Sequence, residues 1–243
     1  MCNCIKNGLS TAGTLPGKLK LKRHAKEIYD SKVSAPNKLL IAYAFAVSET
    51  NASGGVVVTA PTCGACGVLP AVLYFAQKEL KLSNEKILEA LAIAGLVGNI
   101  TRTNGSIAGA EAGCQAEIGT ACAMAAAAYG YLIGLSNEDI FCAASSALEH
   151  HLGLTCDPVL GYVQSPCIER NALCAPRAID AANLISLKNN RIHIFNYDDI
   201  VLTMLETGKA LNPGYRETSL AGLSNTYSNK KKLSKKDFNI KVS

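Results

Sequence analysis

The sequence predicts an all-α fold built as one helical domain, and three observations predict it. Apolar residues recur at helical spacing through most of the chain rather than alternating. Cap signals open several of those stretches. There is no alternation of strands with helices and no internal repeat of fixed period. Composition agrees with a folded domain: 49% hydrophobic and 18% charged is too apolar and too weakly charged for a disordered chain. At 243 residues the chain is long enough to bury a sizeable core.

Taken in order, Met1–Pro36 reads as an irregular arm, because Gly8, Gly13, Pro16, Gly17 and Pro36 interrupt any long periodic pattern. From Asn37 to Thr50, Leu39, Leu40, Ala42, Tyr43, Ala46 and Val47 share a helical face. Val56–Ala60 is a β-branched run that Pro61 ends, a short strand at most. Thr62–Gly67 (TCGACG) is a small-residue loop leading into a helix over about 71–80, with Pro70 at its first turn. Ser83 caps a helix over about 85–97. A second Gly-rich loop spans Gly105–Gly113, and a long Ala-rich helix follows over about 115–133. Ser136 with Asp139 caps a helix over about 138–152, and Gly153–Pro166 is irregular. Helices over about 177–187 and 197–206 complete the set, the latter capped by Asn196 and Asp199. The expected division is an arm over 1–36, a catalytic domain over 37–227 and a flexible Lys-rich tail over 228–243.

The net charge of +5 belongs to the ends. Lys230, Lys231, Lys232, Lys235, Lys236 and Lys241 stand against Asp237 in the tail, and the first 36 residues are also basic. The body between them is slightly acidic, which argues against a nucleic-acid surface. The first ten residues are polar with no apolar segment after them, and no apolar stretch is long enough to span a bilayer. The expected compartment is therefore the cytoplasm, with no membrane partner.

Ten cysteines in a cytoplasmic chain are not a disulfide scaffold. Cys63 and Cys66 form C-x-x-C, open to a redox pair, half a zinc site, or plain packing. Cys2 and Cys4 lie near the terminus, Cys122 and Cys142 sit inside helices as small hydrophobes, and Cys174 reads either way. Cys114, Cys156 and Cys167 differ, since each lies in a loop or at a helix edge among polar neighbours (GCQ, TCDP, PCIERN). Three such thiols fit a metal or iron–sulfur site, and three rather than four leave a position for substrate.

Four segments carry a family likeness: SETNASGGVVVTAPTCGACGVLPAV from Ser48, SIAGAEAGCQAEIGTACAMAAAA from Ser106, ALEHHLGLTCDPVLGYVQSPCIERNA from Ala147, and ETGKALNPGYRETSLAGL from Glu206. They resemble the catalytic (α) domain of the iron–sulfur-dependent L-serine dehydratases, over most of the chain from about Gly8 to Leu223. The resemblance implies a [4Fe-4S] cluster on Cys114, Cys156 and Cys167, its open iron acting as a Lewis acid on the substrate hydroxyl. The implied reaction is deamination of L-serine to pyruvate and ammonia, without pyridoxal phosphate.

Within that frame, Thr62 and Gly64 belong to a loop suited to a carboxylate, and Ser106, Gly109 and Glu111 are expected to line the same pocket. Glu111 is placed to meet the ammonium. Arg170, three residues past Cys167, either pairs with the substrate carboxylate or braces the cluster loop. His150 and His151 are the candidates for the base, with a hydrogen-bonded structural role as the alternative for each.

The chain also departs from the family. The N-terminal regulatory domain of fused members does not precede this region: either a separate β-type subunit supplies it, or the chain works alone, or it is a truncated product, and the expected assembly is a homodimer or a complex with such a subunit. No cysteine follows Cys174 to cap the open iron from the tail. Ala108, His151, Arg102 and Leu220 stand where the family usually has Ser, Asn, Lys and Arg. Cysteine desulfidation, threonine deamination or a degenerate non-catalytic subunit are the alternative readings.

Overall fold

The computed structural model of the chain describes residues 1–187 and 194–240, with the backbone alone over 232–240. His193 lies outside the described residues. Eleven α-helices are present among them, and no strand: α1 (Cys2–Ser10), α2 (Ala25–Asp30), α3 (Lys38–Ala52), α4 (Val68–Glu79), α5 (Asn84–Asn104), α6 (Gly109–Ala112), α7 (Thr120–Leu132), α8 (Asn137–Glu149), α9 (Cys167–Leu187), α10 (Tyr197–Ala210) and α11 (Gly222–Ile240). The all-α prediction holds.

At the centre, α7 packs against α4, α5, α8 and α9. Its alanines Ala121, Ala123, Ala125, Ala126, Ala127 and Ala128 are all fully buried. Side chains of one carbon let four neighbours approach one helix closely, which a leucine-rich surface would prevent. The caps act as read. Ser83 accepts from the Lys86 amide and Ser136 from the Asp139 amide. Asn196 and Asp199 form a reciprocal capping box.

Four expectations change. The first 36 residues are not irregular throughout: α1 packs on α3 and α4, with Cys4, Ile5 and Gly8 buried, and α2 packs on α3. Burying one Ile such as Ile5 contributes about 2 kcal/mol, enough to hold a short helix against the body. The Val56–Ala60 run forms no strand: Val56 is 92% exposed, and no β-bridge among the described residues includes the run. The segment expected as a loose tail continues α11 to Ile240. The Ala-rich helix is not continuous either. Its first five residues, Gln115–Gly119, form a π-helical turn ahead of α7.

That wide turn is held by the side chain of its first residue. The buried Gln115 side chain donates to the carbonyls of Ala112 and Met204 and accepts from the Gly153 amide at 2.9 Å. These bonds tie α6, α10 and the loop after α8 to one residue. They compete with a regular i to i−4 register, and π turns occur often at functional sites.

Among the described residues, no helix is long and apolar enough to cross a membrane.

Candidate metal centre

The π turn presents Glu117 between Cys114 and Cys156. Ligand atoms of these three residues lie within 4.8 Å of one another. A hydrogen bond links the free thiols of Cys114 and Cys156, and Cys156 Sγ lies 3.8 Å from Glu117 Oε2. Cys167 opens α9 beside them, and its thiol feels the charges of both Cys114 and Glu117.

Each side chain is placed by a different element. Cys114 ends the Gly-rich loop ahead of the π turn. Cys156 is held by its backbone: its amide donates to Tyr215 O at 2.8 Å, and its carbonyl accepts from the Glu217 amide at 2.6 Å. The 206–223 segment thereby reaches the centre. Asn171, one turn into α9, joins two parts of the wall. Its amide donates to Gly64 O at 2.7 Å and Cys167 O at 2.8 Å, and its oxygen accepts from the Gly67 amide at 2.8 Å.

Two glycines are required by space. A Cβ at Gly109 would stand 2.7 Å from Glu117 Oε2 and 3.0 Å from Cys156 Sγ, and one at Gly64 would stand 3.2 Å from Glu117 Oε1. Both loops lie directly against the carboxyl and thiol groups, so the predicted Thr62, Gly64 and Gly109 do converge with the cysteines. Thr62 Oγ1 donates to Glu117 Oε1 at 2.7 Å.

Electrostatics favour a thiolate at one position. The hydrogen bond from Cys156 is the main cause that lowers the Cys114 pKa, and the Arg170 guanidinium lowers it further against burial. Cys156 shifts upward as the proton-holding partner of that pair. Burial pushes the Cys167 thiol up to about 12 and raises the Glu117 carboxyl. Arg170 donates to Thr155 O at 2.7 Å and lies 4.0 Å from Asp157 Oδ1, a buried oxygen with no hydrogen-bond partner. Two buried thiols, a half-buried third at Cys167 and one guanidinium are a donor set that fits a metal cluster. The positive charge supports thiolate ligation, and soft sulfur suits iron–sulfur or other soft metals.

Ser106 and Glu111 pair with each other, Ser106 Oγ donating to Glu111 Oε2 at 2.6 Å, while Ser106 also accepts from the Ala108 amide. Glu111 is exposed, and its carbonyl accepts from Arg216. The carboxyl among the thiols is thus Glu117 and not Glu111.

His150 and His151 close α8. Each Nδ1 lies against a carbonyl one turn earlier, Ser146 O at 2.8 Å and Ala147 O at 2.7 Å. Both line a cavity of about 370 Å³ that Arg170, Arg177 and Cys174 also line. His150 is exposed; His151 is buried, and burial lowers its pKa to about 4, leaving it neutral at neutral pH. Cys63 is exposed and Cys66 buried in the C-x-x-C loop.

Residues 1–224 match the family described as serine dehydratase alpha chain. The chain belongs to that family. It is 45% identical over 230 residues to L-serine dehydratase 2 of Escherichia coli K12, covering 90% of this chain and 50% of that protein. It is 44% identical over 231 residues to the L-serine dehydratase of Haemophilus influenzae (91% and 50%). The Helicobacter pylori 26695 L-serine dehydratase is 44% identical over 238 residues (93% and 52%). The chain spans about half the length of these curated relatives.

Glu117 and Asn171 are the site residues that sequence reading missed. Glu117 sits in an Ala-rich period and looks like the polar face of a helix. Its one available signal was its place three residues after Cys114. Asn171 lies four residues after Cys167, the spacing that puts two groups on one helix face.

Proposed function

We propose that this chain deaminates L-serine to pyruvate and ammonia at a [4Fe-4S] cluster held by Cys114, Cys156 and Cys167. The observation that carries the reading is the gathering of those three thiols around Arg170 and Glu117 in a member of the serine dehydratase alpha chain family. When bound, the cluster supplies a Lewis acid at its open iron, which makes the substrate hydroxyl a better leaving group.

The chain's own residues do the rest. Arg170 faces the cavity and pairs with the substrate carboxylate, assisted by the Thr62–Gly67 loop. Glu117, held by Thr62, faces the ammonium. The Ser106–Glu111 pair steadies α6, whose Gly109 borders Cys156. His150, the exposed histidine on the cavity wall, takes the α-proton. Its Nδ1–H to Ser146 O bond leaves Nε2 with the free lone pair. His151 is buried and keeps a positioning role beside it. The working assembly pairs the chain with a second copy or with a β-type subunit. No disulfide joins the described cysteines, as expected of a chain in a reducing compartment.

Anaerobically reconstituted protein, assayed with L-serine, L-cysteine and L-threonine separately, tests the reading. Pyruvate from serine supports it. Sulfide with pyruvate from cysteine alone, or 2-oxobutyrate from threonine alone, reassigns the substrate. No product from any of the three, with cluster bound and a second subunit supplied, makes the chain a non-catalytic component.

A further inference from the structure

A second set of ligating side chains lies outside the three-thiol centre. Cys122 belongs to α7, Cys174 to α9, and His151 follows α8. Their ligand atoms, two thiol sulfurs and a ring nitrogen, lie within 4.8 Å of one another, and all three residues are buried. We propose that Cys122, Cys174 and His151 form a binding site for a soft divalent cation, zinc by its chemistry, separate from the iron–sulfur ligands.

The donor set carries the choice of metal. Two thiolates and one imidazole are the ligands of tetrahedral zinc sites that keep one position open. Two thiolates also neutralise a divalent charge, so binding leaves no net charge in the core, where an unpaired ion would be costly.

The surroundings are those of a built site. The hydrogen bond from His151 to Ala147 O at 2.7 Å fixes the ring and its tautomer, leaving one nitrogen with a free lone pair. The thiols are held from the backbone, Cys174 Sγ 3.5 Å from Ile118 O and Cys122 Sγ 3.7 Å from Cys174 O. Both are long, weak contacts that a metal bond can replace without stranding a strong partner. Access is provided as well. His151 and Cys174 both line the 370 Å³ cavity, which supplies an entry path and room for water at the fourth position.

A metal here would pin α7, α8 and α9 to one another beside the catalytic centre. Ile118, in the π turn, accepts from Cys174 through its carbonyl and also lines the cavity. The second site therefore shares a wall with the first.

The test loads the cluster-bearing full chain with zinc, and separately with cobalt(II), under anaerobic conditions. One equivalent of zinc per chain beyond the iron is expected. Cobalt is expected to give a tetrahedral spectrum with a thiolate charge-transfer band. The Cys114→Ser/Cys156→Ser double variant, which removes ligands of the other centre only, is expected to keep both signals. Cys122→Ala and His151→Asn are expected to lose the equivalent, and Cys122→Ala the larger part of the charge-transfer band. No zinc beyond the iron in the unmodified chain overturns the proposal. So does loss of the cobalt spectrum in the Cys114→Ser/Cys156→Ser variant. Should Cys122→Ala fail to fold, the unmodified chain and that double variant decide between them.

Discussion

Two groups of cysteines sit side by side, and they are built differently. Around Cys114, Cys156 and Cys167 the backbone is irregular, the wall carries Arg170, Glu117, Thr62 and Asp157, and glycines admit loops close to the sulfur. Around Cys122, Cys174 and His151 the thiols sit in regular helices, and apart from a hydrogen bond between the two thiols their partners are backbone carbonyls. The first group is wired to a charge that favours thiolate and opens toward polar groups that could meet a substrate. The second is anchored to helices and suits holding them in place. Cysteine count and burial alone do not separate the two; the neighbours do.

The largest effect that would break the comparison is expected at Cys156. Replacing it with Ser removes a ligand and the partner of the Cys114 thiol, and bound iron and pyruvate formation should both fall to background. Cys122→Ala should instead retain iron, with a stability loss of about 1 kcal/mol in a urea titration. Equal iron loss in the two variants would erase the distinction.

Arg170 comes next. Its charge lowers the Cys114 pKa and its fork reaches the Thr155 carbonyl. Arg170→Gln should weaken cluster retention roughly 10–100-fold, the range for groups that orient metal ligands. Iron release to a chelator, followed optically, reads this out, and unchanged release would remove Arg170 from the centre.

Gly109→Ala should act more mildly and locally. The added carbon meets Glu117 and Cys156, so overpacking of about 1–3 kcal/mol is expected in thermal unfolding, with faster cluster loss. A neutral result would mean that the loop yields freely.

The smallest effect lies at a buried carboxyl belonging to neither group. Glu49 accepts from the His24 amide at 2.5 Å and from the Ala25 amide, and burial raises its pKa. Above the unfolded value near 4.5 the native state keeps the proton longer than the unfolded chain does, so this group's contribution to stability falls as pH rises. Glu49→Gln removes that dependence. Its melting temperature relative to the parent should climb between pH 4 and pH 7, by the equivalent of about 1 kcal/mol or less. A difference that is flat with pH would contradict the sign.

The parts of the molecule legible in the sequence were those with local causes. The caps at Ser83, Ser136 and Asn196 are short-range hydrogen bonds and were read correctly. The Ala-rich period of α7 announced close helix packing. The three centre cysteines stood out because polar loop neighbours are unusual for a packing thiol.

What stayed hidden depended on distant partners. The packing of α1 rests on Ile5 meeting α3, which Gly8 and the later breakers obscured. The π turn rests on Gln115 reaching Met204, 89 residues away. Glu117 looked like helix surface until that turn swung it between two thiols. Asn171 bonds to Gly64 across 107 residues, and no local pattern contains that contact.

The central claim is that the three-thiol centre carries the cluster and that the cluster carries the chemistry. Iron and acid-labile sulfide, measured on the same anaerobic sample as serine-dependent pyruvate formation, test it most directly. The account predicts about four irons and four sulfides per chain, with turnover rising in proportion to iron content across partially loaded samples. Serine turnover in iron-free protein, or a full cluster that survives Cys156→Ser, would contradict it.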